Sequence, residues 1–170
     1  MKNLPPLLRL SMCFCFVAMG PAVNLVAAAT PPPVSVQFVN PAKFTDFQVR
    51  GRDANYTAGL FADSVRDELR PVLQSKFPNC SLLLHFTDID LAGRNSTARN
   101  ARIISAGHPA RMSFDFVLAD ASGKVLAKGS TRLNDNSSPN SGRYDPKRSQ
   151  IFYYERRTLN RWLRTLSTPR

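Results

Sequence analysis

Asp88 and Asp90 are the acidic side chains whose spacing could do chemistry. They lie in the run 81–90, which reads as a strand with Leu82, Leu84, Phe86, Asp88 and Asp90 on one face. Leu83, His85, Thr87 and Ile89 take the other face, and the Leu-rich first half reads as covered on both. Residues two apart on a strand stand ~7 Å from each other. Two acids at that distance could serve as general acid and base if one had a raised pKa. The gap is too wide for one small cation unless the strand end curls. With Arg111 the pair would make a small hydrolytic or metal-dependent centre. The plainer alternative is structural, with the aspartates paired to Arg111 or Arg132 of the following hairpin. His85 sits on the opposite face and joins them only through a bulge. His108, before Pro109, reads as an exposed loop residue, and Cys80 as a buried or idle thiol.

The second candidate is a set of arginines. Between Arg143 and Arg170 there are eight basic and two acidic residues. Arg157, Arg161 and Arg164 recur at helical spacing and form a basic stripe opposite an apolar one. Such a stripe suits an anionic polymer, whether phosphorylated head group, acidic glycan or nucleic acid. The plainer reading of the stripe is the solvated face of an Arg-rich helix. The nearby Phe152 and Trp162 are claimed by the apolar stripe, so stacking aromatics for nucleic acid are lacking and no nucleic-acid partner is expected. The zincin, nucleophile-elbow, P-loop and dinucleotide signatures are absent, and neither cofactor, metal nor catalytic residue is assigned.

These candidates need a scaffold, and 170 residues with 43% hydrophobic content amount to a single globular domain. Lys2 and Arg9 precede the apolar run 10–19, and Ala27-Ala28-Ala29 fits a cleavage site. Residues 1–29 therefore read as a secretory signal peptide, with 30–170 as the domain and the periplasm as its location. Gly20, Pro21 and Asn24 interrupt the run and argue against an uncleaved anchor. Removing the leader leaves 21 basic and 12 acidic side chains and one cysteine, Cys80, so no internal disulfide can form.

The alternation of Val34 to Val39 predicts a strand, stopped by Asn40-Pro41. Residues 43–56 read as a loop. Phe61, Val65, Leu69, Val72 and Leu73 predict an amphipathic helix, which Pro71 should kink or divide and Phe77-Pro78-Asn79 should end. Asp63/Arg66 and Asp67/Arg70 can pair along it. After the strand at 81–90 comes a polar connection, 91–109, with a short strand around 102–105. Met112, Phe114, Phe116 and Leu118 open a hairpin that turns at Asp120-Ala121-Ser122-Gly123 and returns over 124–133. A last helix spans about 148–166. The whole is an α+β fold: a single two-layer domain, its mixed or antiparallel sheet of about four strands carrying two amphipathic helices on one face.

Several of these segments together resemble the proteobacterial secreted family known as domain of unknown function 3016. They are residues 34–46 (VSVQFVNPAKFTD), 86–93 (FTDIDLAG), 109–114 (PARMSF), the hairpin 120–129, 133–135 (LND) and 154–162 (YERRTLNRW). The stretch 136–142 is more polar than the family's usual apolar one. The resemblance implies a periplasmic location and supplies no activity, cofactor or catalytic residue. The adopted reading is a periplasmic binding or envelope-accessory module, with envelope proteins or anionic envelope polymers as expected partners and no membrane anchor after cleavage. The enzyme centred on Asp88, Asp90 and Arg111 and the basic anion-binding protein using Arg157, Arg161 and Arg164 stand as alternatives.

Overall fold

The computed structural model describes residues 33–49, 51–96, 101–105, 107–135 and 146–167. The leader assigned to 1–29 and most of the polar loop at 134–147 lie outside them. Strand β1 (Val34–Phe38) buries Val34 and Val36, as its alternation requires. Helix α1 (Ala54–Lys76) starts where Asp53 accepts the Tyr56 N–H at 2.7 Å, inside the stretch read as loop from its lack of period. Its buried stripe contains Phe61, Val65, Leu69, Val72 and Leu73. Pro71 does not divide it. Pro71 and Asp67 are exposed, so water can satisfy the Asp67 carbonyl that the missing donor leaves open. Asp63 and Arg66 pair at 2.7 Å, whereas no Asp67–Arg70 ion pair is found among the described residues.

Strands β2 (Ser81–Asp90), β5 (Arg111–Ala119) and β6 (Val125–Asn134) complete a four-stranded mixed sheet in the order β1-β2-β5-β6. The β1–β2 pair is parallel, bridged by α1, and the other two are antiparallel. The β5–β6 turn forms as expected: Gly123 takes φ +84° and Asp120 accepts from the Ser122 and Lys124 N–H groups. The connection after β2 is itself folded into a small antiparallel pair, β3 (Arg94–Ser96) with β4 (Ala101–Ile103). Helix α2 (Tyr153–Thr165) is shorter than its periodicity suggested. A 3-10 turn (Pro146–Ser149) precedes it, and Phe152 at its N-cap adopts left-handed φ 61°.

Both helices pack on the same side of the sheet as Leu82, Leu84, Phe86, Met112, Phe114, Phe116 and Leu118. Phe61 of α1 is the hub, with the rings of Phe47, Phe86 and Phe152 centred 5.1–5.5 Å away. Trp162 of α2 sets its ring edge-on to Phe114 and Phe116 at 5.0 and 5.1 Å. The opposite face of the sheet is polar and only partly buried, so Leu83 is not covered on that side as expected from its Leu-rich context. Among the described residues no helix is long and apolar enough to cross a membrane.

Candidate functional site

The register of β2 shifts between Phe86 and Asp88, where Thr87 is the extra residue of a bulge. Its hydroxyl donates to the Ser113 carbonyl at 3.1 Å. The shift reverses the expected facing of everything downstream: Ile89 goes into the core, and Asp88 and Asp90 go to the open face. They therefore share a face with His85 rather than with Leu82, Leu84 and Phe86. His85 lies opposite Asp115, away from the shallow cleft that Asp88, Asp90, Arg111 and Arg132 line.

In that cleft each aspartate already has a partner. Asp88 accepts from the Thr45 N–H at 2.8 Å and from the Thr45 hydroxyl at 2.9 Å. Asp90 faces Arg111 at 3.6 Å, and this guanidinium is more than half exposed. Desolvation raises the Asp90 pKa; Arg111 opposes the rise and the Asp46 charge adds to it. Among the described residues no group of three or more His, Cys, Asp or Glu side chains is placed to hold a metal ion. Cys80 is half-buried, and burial raises its thiol pKa. His108 is half-buried, with Nδ1 3.1 Å from the Ser105 hydroxyl.

The α2 arginines border a groove rather than a free outer face. Arg156, Arg157, Arg161 and Arg164 line a cleft of about 390 Å³ in which Glu68 of α1 is the one acid among the described lining residues. Asn160 ties the two helices by donating to Glu68 Oε1 at 2.6 Å, and it accepts from Arg164 Nε at 2.7 Å. Lys76 of α1 donates to the Leu163 and Arg164 carbonyls and so caps the end of α2. Arg161 stands 3.9 Å from the buried Asp135. Arg156 donates to the Gln150 amide oxygen at 2.7 Å. Arg157 contacts no acid among the described residues. The cleft thus presents several guanidinium N–H groups, with Glu68 in its lining and Asp135 beside Arg161, a composition that suits phosphate, sulfate or carboxylate groups.

Two further residues organise the molecule without having been singled out from the sequence. Arg102 donates to the carbonyls of Leu91 and Ala92 at 2.7 Å, to that of Gly93 at 3.1 Å, and to both carboxylate oxygens of Asp46 at 2.6 and 3.3 Å. It ties β4 to the end of β2 and to the loop after β1. Nothing local betrays this, because most of its acceptors are backbone carbonyls. Glu155 is 3% exposed, and its carboxylate accepts the Ala92 N–H at 2.7 Å. Burial raises its pKa, with the Ala92 hydrogen bond and Arg102 opposing. A signal for it was present: Glu155 falls on the apolar stripe of Phe152, Leu159 and Leu163, where a carboxylate is out of place.

Comparison with curated proteins gives no match. Among solved structures, a minor lipoprotein from Acinetobacter baumannii is similar at 12% identity over 77% of this chain and 84% of that one. The TM-score of 0.32 is too low to bear on function. Residues 32–165 match the family described as "Protein of unknown function (DUF3016)", which takes in both helices and all the strands. The chain belongs to the DUF3016 family.

Proposed function

We propose that this protein is exported to the periplasm and acts there as a binding or envelope-accessory module, with the arginine cleft between α1 and α2 as its contact surface for anionic envelope polymers. The observation that carries this reading is the convergence of Arg156, Arg157, Arg161 and Arg164 on one cleft in which Glu68 is the one acid among the described lining residues. The 21 basic and 12 acidic residues left after removal of the leader, a formal charge of +9, add a long-range attraction of the same sign. Guanidinium groups fork onto phosphate and carboxylate oxygens, so anionic chains are the chemistry the cleft suits. Aspartates 88 and 90 serve structure in this reading, since Thr45 and Arg111 already engage them.

The test is retention on heparin resin and on vesicles rich in phosphatidylglycerol. Wild-type protein is expected to bind and to elute as salt shortens the Debye length to ~8 Å at physiological ionic strength. Reversing Arg157, Arg161 and Arg164 together to Glu should abolish retention at some cost in melting temperature, since Arg161 faces the buried Asp135 and Arg164 donates to Asn160; Arg157→Glu alone, at a side chain that pairs with no acid among the described residues, should weaken retention and leave the melting temperature unchanged. Unchanged retention would reduce the arginines to ordinary surface. Export is tested separately by N-terminal sequencing of protein from the periplasmic fraction, where Thr30 is the expected first residue.

A further inference from the structure

The arginine cleft does not end at Asn160. A neighbouring cleft of about 670 Å³ continues it along the helices and shares Glu68, Asn160 and Arg164 with it. The two form one groove, with α2 as one wall and α1 as the other. The walls carry opposite charge. Arg157, Arg161 and Arg164 recur on the α2 wall at one- and two-turn spacing. Asp67 and Glu68 stand on the α1 wall, beside the apolar surface of Pro71 and Val72. Lys76, at the far end, spends its ammonium on the Leu163 and Arg164 carbonyls.

The charges of the two walls do not pair with each other. Among the described residues Arg157 meets no acid, and neither Asp67 nor Glu68 forms an ion pair. Glu68 and Arg164 are held apart by one side-chain amide: Asn160 donates to Glu68 at 2.6 Å and accepts from Arg164 at 2.7 Å. A purely anionic chain would satisfy the α2 wall and meet two carboxylates on the other. A group with an anion and an ammonium a few bonds apart satisfies both walls, and Pro71 and Val72 receive the short carbon link between them.

We infer that the groove takes a phosphate that carries a primary amine, phosphoethanolamine in its simplest form. Its phosphate oxygens lie on Arg157, Arg161 and Arg164, and its ammonium on Asp67 and Glu68. The inference rests on the anion-binding role proposed for the arginine cleft and narrows its ligand from any anion to an amine-bearing one. The same chemistry occurs free and as the head group of phosphatidylethanolamine. Choline in place of ethanolamine keeps both charges, removes every N–H donor and makes a poorer ligand.

Co-sedimentation with two vesicle sets of equal phosphatidylglycerol content, one completed with phosphatidylethanolamine and the other with phosphatidylcholine, tests the inference at constant surface charge. Wild-type protein should bind the ethanolamine set about threefold more tightly or better. Asp67→Asn/Glu68→Gln leaves Asn160 an acceptor and should bind both sets equally, with heparin retention kept. Asp67→Asn alone, at an exposed side chain, should reduce the preference and serves if the melting temperature shows the double variant to be unstable. Free O-phosphoethanolamine should release the protein where glycerol phosphate does not, if the head group alone is bound. Release by neither, with the vesicle preference intact, assigns recognition to the membrane-held head group. Equal release by both, or equal binding of the wild type to both vesicle sets with heparin retention kept, overturns the inference and leaves the anion-binding reading standing. A preference that survives in the Asp67 and Glu68 variants also overturns it, since the amine is then read elsewhere. Loss of retention on heparin and on every vesicle removes both readings.

Discussion

Glu155 illustrates how much a single buried acid can do to a small domain. Its side chain supplies the acceptor for the Ala92 N–H, a buried donor that costs roughly 1–3 kcal/mol if left unpaired. The same burial lifts its pKa above the ordinary value of 4.5. The folded state therefore holds a proton that the unfolded state releases. Stability declines as pH rises through the ordinary glutamate range and levels off once the folded-state pKa is passed. Asp90 is shifted in the same direction and adds to the decline, whereas Asp120, shifted down by its Ser122 hydrogen bond, acts against it on the acid side. Glu155→Gln keeps an acceptor for Ala92 and removes the titration. Thermal midpoints measured from about pH 5 to about pH 8 should fall in the wild type and fall less in the variant. Equal slopes would show that Glu155 is not the group responsible. Glu155 was legible in the sequence as a misplaced charge, while Arg102 was not, since nothing in the sequence announces a bond to the carbonyls of Leu91, Ala92 and Gly93.

Elements were read correctly where period and stop signal agreed and missed where a backbone irregularity intervened. The β5–β6 hairpin carried both alternation and a Gly-closed turn. The Thr87 bulge carried neither Gly nor Pro, so a uniform alternation through 81–90 assigned Asp88 and Asp90 to the wrong face. The β3–β4 pair is three residues a strand, too short for a periodic signal, yet the residue just before it is decisive. Gly93 sits at φ +79°, and a Cβ there would come within 2.2 Å of the Ile103 carbonyl oxygen. Gly93→Ala should cost about 2 kcal/mol or more, read by urea denaturation, because conformational strain and a backbone clash add. Pro71→Ala tests the opposite case. The helix already runs through this exposed position, so restoring the N–H donor should stabilise the protein by about 1–3 kcal/mol. A loss of stability would mean that the proline ring makes a packing contribution of its own.

On the scale of the whole molecule, the order of strands and helices and the one-sided packing were legible because each element is amphipathic with a period of its own. Strand order was not, since periodicity says which face is buried and never which neighbour lies beside it. That β1 takes the edge next to β2, parallel to it, is a property of the crossover through α1. The candidate arginines were legible as a stripe, but their enclosure beside Glu68 depends on how α1 lies against α2. The parallel edge has a kinetic corollary. Val34 meets Leu82 across an intervening helix, whereas Ala119 meets Val125 across a tight turn, so the amino-terminal strand is the segment whose docking demands the greatest loss of chain freedom. Native-state hydrogen exchange should find the amides of Ser35 to Phe38 opening at lower denaturant than those of β5, a detachable first strand on a sheet that otherwise opens only as a unit.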